Sequence, residues 1–125
     1  MAAASRRLEV SASNVANALS DGPLPSADAA VKAKYPAAYA PLRVDQVATA
    51  GGGTRANVSY VSPSTVPTYD PSAPFADGKG MVASPNVDLA NEAVQQIIAR
   101  YTFAMNVQVM RTYDQMMKSL LDIKA

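Results

Sequence analysis

The chain has 125 residues, 49% of them apolar, with 11 basic against 10 acidic side chains and a net charge of +1. That is one modest domain with material for a core, and its balance leaves little basis for an electrostatic nucleic-acid or membrane partner. Cys and His are both absent, which removes disulfides, Cys/His zinc sites, thiol nucleophiles and imidazole bases together.

The first residues, MAAASRRLEV, carry no apolar core of a secretory leader, so no cleaved signal peptide is expected. No run approaches the length of apolar chain that spans a bilayer. All nine prolines lie between Pro23 and Pro85, and all six glycines between Gly22 and Gly80. Helix breakers therefore fill the middle and spare both ends. The expected architecture is mainly α with a small β element. An N-terminal helix within 1–22 and a C-terminal helix within 86–125 pair as an antiparallel coiled coil. A Pro/Gly-rich middle, 23–85, carries short strands.

Taken in order, Ala2 to about Leu19 is the first helix, with Leu8, Ala12, Val15 and Leu19 as its apolar stripe. Ser11, Ser13 and Asn14 are poor mid-helix residues, so this helix needs something to pack on. Ser20-Asp21-Gly22-Pro23 ends it. The stretch Pro25–Pro41 reads as a loop with a helical turn near Ala27–Ala33. Leu42–Ala50 and Arg55–Val61 read as two strands joined through Gly51–Thr54.

The last helix is predicted from about Asp88 to Ile123. Val94, Ile98, Tyr101, Met105, Val109, Thr112, Met116, Leu120 and Ile123 step by four and three along one face. A second stripe, Met110, Tyr113, Met117 and Leu121, lies roughly 100° to 180° round from the first. Arg100, Arg111, Asp114, Lys118 and Asp122 gather between them, with Asp114–Lys118 and Lys118–Asp122 as i,i+4 pairs. A helix apolar on two faces has more to bury than one partner helix covers. Other copies or other chains would cover the rest, or the middle segment folds back over it.

The segment YDPSAPFADGKGMVASPNVD, residues 69–88, holds three acids in a loop-like context. They lack the spacing of a calcium-binding EF-hand loop. Asp70 before Pro71 suits an Asx turn, Asp77-Gly78 is a turn dipeptide, and Asp88 or Asn86 can cap the helix with Glu92 near its positive end. The prolines keep the chain extended as far as Pro85. Tyr69, Asp70, Pro71, Asp77, Gly80, Pro85, Asn86, Asp88 and Glu92 are thus hinge and cap candidates. GGGT and GKG lack the spacing of phosphate-binding loops. No catalytic or metal-binding residue and no cofactor is assigned.

Two motifs resemble one family. ASNVANA, residues 12–18, resembles the S-x-N-x-A-N signature near the N-terminus of bacterial flagellar rod and hook proteins. Residues 69–92 resemble the pattern Y-[DE]-P-x-x-P-x-A-D-x-x-G-x-V-x-x-P-N-V-D-x-x-x-E of basal-body proximal rod proteins of the FlgC type. The chain departs from that family at Ala93, Met105 and Asp114, and its segment after the first helix is longer. The resemblance implies a non-enzymatic axial subunit, exported by the flagellar type III apparatus without a cleaved signal and built into a periplasmic rod. Its partners would be other rod proteins and copies of itself, with no nucleic acid and no small-molecule substrate.

Together the stripes and the resemblance place subunit packing on Leu8, Asn14, Val15, Asn17, Val94, Ile98, Tyr101, Phe103, Met105, Asn106, Met116, Met117 and Leu120. The alternatives are a distal-rod or hook-type component, a self-contained binding module with a ligand among Tyr35, Tyr39, Tyr60 and Tyr69, or an enzyme using Asp and Tyr.

Overall fold

The computed structural model describes residues 1–124; Ala125, the end of the 86–125 segment, lies outside them. The elements are α1 (Ala2–Ala16), α2 (Ala29–Lys34), β1 (Leu42–Ala48), β2 (Thr54–Tyr60), β3 (Thr65–Tyr69), β4 (Met81–Pro85) and α3 (Leu89–Lys124). The architecture is mainly α with a small β element. The terminal helices α1 and α3 pack together, and the β1–β2 hairpin leans on α1.

α1 is shorter than its periodicity predicts. It stops at Ala16, where Asn17 caps it: both the Asn17 backbone N–H and its Nδ2 donate to the Ser13 carbonyl, at 3.1 and 2.9 Å. A local side-chain bond thus ends the helix before Gly22 can. Gly22 is a glycine for another reason. Its N–H donates to Ala83 O and its carbonyl accepts from Ala83 N–H, making a bridge to β4. A Cβ there would fall on the backbone of Ala37 and Ala38 and lie 2.8 Å from the Pro36 carbonyl oxygen.

The first hairpin matches its prediction within two residues at each end. β1 and β2 run antiparallel from Leu42↔Tyr60 to Ala48↔Thr54, around a loop in which Gly52 and Gly53 take φ of 86° and 88°. Thr49 Oγ1 ties that loop by donating to Gly52 O at 2.8 Å. A two-stranded hairpin alone is marginal in water, so its packing on α1 matters.

The second hairpin is a finding that the sequence pattern hides. The chain before Pro85 is not simply extended: β3 and β4 pair from Thr65↔Pro85 to Tyr69↔Met81. Pro67 sits inside β3, opposite Ala83. Ala83 already uses its N–H and carbonyl on Gly22, so its pairing with Pro67 is of the kind that needs no ladder bond there. The proline and the Gly22 bridge are complementary.

The loop between β3 and β4 is held by its acids. Asp70 Oδ1 accepts from Ser72 N–H at 3.1 Å. Asp77 Oδ1 accepts from Lys79 N–H at 2.8 Å and Met81 N–H at 2.9 Å. Those two backbone donors, Met81 first, hold the Asp77 carboxyl below its usual value of 3.8. Gly80 takes φ of +74° beside Tyr69 and Pro71, a conformation that L side chains rarely adopt. Asp88 Oδ1 then accepts from Ala90 N–H at 3.0 Å and Asn91 N–H at 3.2 Å, capping α3. Asn86 is engaged elsewhere: its Nδ2 donates to Pro63 O at 2.9 Å and its N–H to Ser64 O at 3.0 Å.

The buried apolar core is small and split. Ala4, Val10 and Ala99 lie in the helix pair, and Val82 and Ala83 in β4. The middle segment does not fold back over α3: every residue from Gln108 to Ile123 is exposed.

The turns can be tested directly. Gly22→Ala destabilises the fold by about 1–3 kcal/mol, because the obstruction is backbone and not a flexible side chain. Gly51→Ala, with open space around it, changes stability little; urea denaturation of the two variants side by side reads the difference. A lowered folded-state pKa at Asp77 adds stability that is present above the unfolded carboxyl value and lost as pH falls through the folded one. An NMR titration should therefore place the Asp77 midpoint below that of an unstructured Asp. Asp77→Asn, which keeps the acceptor oxygen, should remove this acid-sensitive contribution.

Candidate subunit-packing surface

α1 and α3 meet through small and polar residues, not through their apolar stripes. The buried residues of α1 are Ala4, Val10, Ser11 and Asn14. On α3 the buried position is Ala99, flanked by half-buried Glu92, Gln95 and Gln96. The pair is antiparallel. Ser11 Oγ donates to the Glu92 carbonyl at 3.0 Å near one end, while Ala4, Ser5 and Leu8 share a hollow with Ala99, Arg100 and Phe103 near the other. Small side chains at the crossing let the two helices approach closely.

The predicted stripes are consequently left open. On α1, Leu8 is 38%, Val15 40% and Leu19 90% exposed. On α3, Val94, Ile98, Tyr101, Met105, Met116 and Leu120 are all exposed large hydrophobics, as are Met110, Tyr113, Met117 and Leu121. At about 100° per residue, Glu92, Gln95, Ala99, Asn106, Met110, Tyr113 and Met117 fall on one side of α3. The second stripe is therefore the continuation of the face that α1 covers further up. It turns from small and polar to apolar where α1 gives out. The first stripe lies about a third of a turn away.

Some predicted packing residues are placed differently from the stripes. Asn14 is 1% exposed and directs its amide to groups of its own chain. Its Nδ2 donates to Leu42 O at 2.7 Å and to Glu92 Oε1 at 2.6 Å. Its Oδ1 accepts from Leu42 N–H at 3.0 Å and from the Tyr39 hydroxyl at 3.1 Å. Asn17 is used as the α1 cap. Phe103 flanks the hollow beside Ala4, and half-buried Asn106 donates its Nδ2 to Thr102 O at 2.8 Å.

Sequence reasoning gave no packing role to Ser11, Tyr39, Gln95 and Ala99. The available signal was the spacing of small and polar residues at Ala4, Ser11 and Asn14, read as a face in its own right. A groove of about 370 Å³ lies where α1, the root of β1 and the start of α3 converge, and Arg7, Arg43, Asp88 and Gln95 are in its wall. The four tyrosines do not gather into one site. Tyr35 packs on Phe75 with ring centroids 5.6 Å apart, Tyr39 bonds Asn14, and Tyr60 and Tyr69 stand 70% and 68% exposed on different hairpins.

Among the described residues the ion pairs are Arg6–Glu9 at 3.0 Å and Arg43–Asp45 at 3.3 Å. The i,i+4 pairs expected of Asp114, Lys118 and Asp122 are not closed, since exposed pairs of this kind gain little over hydration. No helix among the described residues is long and apolar enough to cross a membrane.

Residues 79–123 match the family model for the C-terminal part of the flagellar basal body rod FlgEFG proteins. Over nearly the whole chain the similarity is to flagellar basal-body rod protein FlgC. The Salmonella typhimurium protein is 36% identical over 128 residues, covering 98% of this chain and 89% of the relative. The Escherichia coli O6:H1 protein is 36% identical over 127 residues, with the same coverage. The Agrobacterium fabrum protein is 31% identical over 122 residues, covering 95% of this chain and 84% of the relative. Two terminal helices joined through small residues, with their apolar stripes turned outward, are thus carried by a chain that belongs to the FlgC family of flagellar basal-body rod proteins, structural subunits of the bacterial flagellum.

Proposed function

We propose that this chain is an axial building block of the proximal, periplasm-spanning part of the rod, held there by neighbours that cover its two open helical stripes. The observation that carries the reading is the exposed C-terminal half of α3. From Gln108 to Ile123 it lies beyond the cover of α1, and Val109, Met110, Tyr113, Met116, Met117, Leu120 and Leu121 all face solvent. Exposed apolar surface that is contiguous along a helix marks an interaction site. Two stripes on one helix call for more than one neighbour. A surface that meets a different surface on the next subunit gives an open, repeating assembly, which is the geometry of a shaft. The partners are other rod proteins and further copies of this chain.

The small core supports a route to the rod. With Ala4, Val10 and Ala99 as the buried apolar residues of the helix pair, the separate subunit has little to hold its helices. Such a chain passes the flagellar type III export apparatus in an unfolded or molten form and completes its helices as neighbours bury the stripes. A distal-rod or hook-type position is the second reading, favoured by the match of residues 79–123 to the FlgEFG model.

Deleting the chain should abolish motility and leave basal bodies without a complete rod. Motile cells with intact basal bodies would overturn the proposal. Complementation of strains lacking single rod components separates the proximal from the distal position. Met116→Glu with Leu120→Glu should stop swarming while changing the stability of the separate subunit by no more than about 0.5 kcal/mol, because both side chains are exposed within it. Dilute monomer should show less helix by circular dichroism than α1 and α3 together would give, and gain it on polymerisation. Full, cooperatively melting helix in the monomer would count against the export route.

A further inference from the structure

Asn14 stands where three parts of the chain meet, and its amide is fully used. An Asn side chain has two N–H donors and two acceptor lone pairs. Here they engage Leu42 O, Glu92 Oε1, Leu42 N–H and the Tyr39 hydroxyl. The two bonds to Leu42 close a ring, so the side-chain amide pairs with the first residue of β1 as a strand neighbour would. The bond to Glu92 reaches the first turn of α3, where Ser11 holds the main chain as well.

The surrounding packing gives this junction leverage. Among the named elements, the β1–β2 hairpin packs on α1 and α3 packs on α1, with no direct packing between hairpin and α3. The hairpin is held at its root only. From Asp45 to Arg55 it is exposed on both faces. Its direction relative to α3 is therefore set through α1, and Asn14 is the α1 side chain that bonds both.

We infer that Asn14 is a positioning residue that couples pairing of α1 with α3 to the orientation of the β1–β2 hairpin. When Glu92 is in place, the amide is oriented with its N–H and carbonyl toward Leu42, and the hairpin root is locked. When α3 is not paired, one Asn14 donor loses its acceptor and the ring to Leu42 loses its orienting support. The hairpin then swings about its root. The inference does not depend on the chain's place in a rod.

The test uses the full chain, with an osmolyte added until circular dichroism reports both helices formed. The chain has no Cys, so spin labels go only where they are introduced. Gly51→Cys at the hairpin tip has open space and no positive φ, and Ala93→Cys on α3 is exposed. The parent should show one narrow tip-to-α3 distance. Asn14→Asp sets a carboxylate against the Glu92 carboxylate and the Leu42 carbonyl, and should broaden the distribution at least twofold with helix content kept. Adding Glu92→Gln gives the introduced carboxylate a donor from α3 but leaves it facing the Leu42 carbonyl, and should narrow the distribution in part. Glu92→Gln alone keeps an acceptor oxygen for Asn14 and should leave the parent distribution. An unchanged distribution in Asn14→Asp would overturn the inference. So would loss of helix in Asn14→Asp that Glu92→Gln does not repair, since Asn14 would then be a core residue and not a coupling between separable parts.

Discussion

The close seam between α1 and α3 is the constraint on which the rest of this molecule depends. Ala4 and Ser11 on one helix and Ala99 on the other are small enough for the backbones to come near each other. Close approach puts Ser11 and Asn14 within reach of Glu92, and no buried side-chain N or O among the described residues lacks a partner. A seam of this kind buries little apolar surface, so it stabilises weakly. It does something a Leu-rich seam would not do: it leaves both apolar stripes facing outward. The separate subunit therefore carries its large apolar side chains in the open, and this is the surface on which the proposed assembly rests.

The middle of the chain repeats the same economy of material. Among the described residues, neither hairpin has a third full strand. β1–β2 is anchored by α1 and by the Asn14 amide, and β4 by the Gly22 bridge. The segment from Tyr69 to Asp88 looked rich in chemistry because it concentrates acids and glycines. Each acid is occupied by backbone N–H groups: Asp70 by Ser72, Asp77 by Lys79 and Met81, Asp88 by Ala90 and Asn91. These carboxylates shape turns and launch α3. Their local bonds turn the chain from β3 back through β4 and into a 36-residue helix.

Much of this was legible in the residues. The proline and glycine map marked helix, irregular middle and helix. The hairpin at Leu42–Tyr60 and the Asp88 cap followed from turn chemistry and capping, which act over a few residues. The motifs at residues 12–18 and 69–92 pointed to the family that full-length similarity shows. The β3–β4 hairpin was not legible, because Pro67 has no N–H to give and argues against a strand unless its partner's carbonyl is known to be bonded elsewhere. Ala83 is taken by Gly22, which lies 61 residues away along the chain.

By itself, the sequence determined the terminal helices, the first hairpin and the apolar stripes, since periodicity, caps and turns are local and each residue carries its own preference. Only the tertiary structure decided which face of each helix is inside. Apolar periodicity points to the stripe of Leu8, Ala12 and Val15, yet the buried residues are Ala4, Val10, Ser11 and Asn14. The reason is that burial belongs to pairs of surfaces. Here α1 is turned so that Ala4 lies by Ala99 while Ser11 and Asn14 bond Glu92, contacts that the apolar stripe could not make. The stripes that look like core in the sequence are then left exposed.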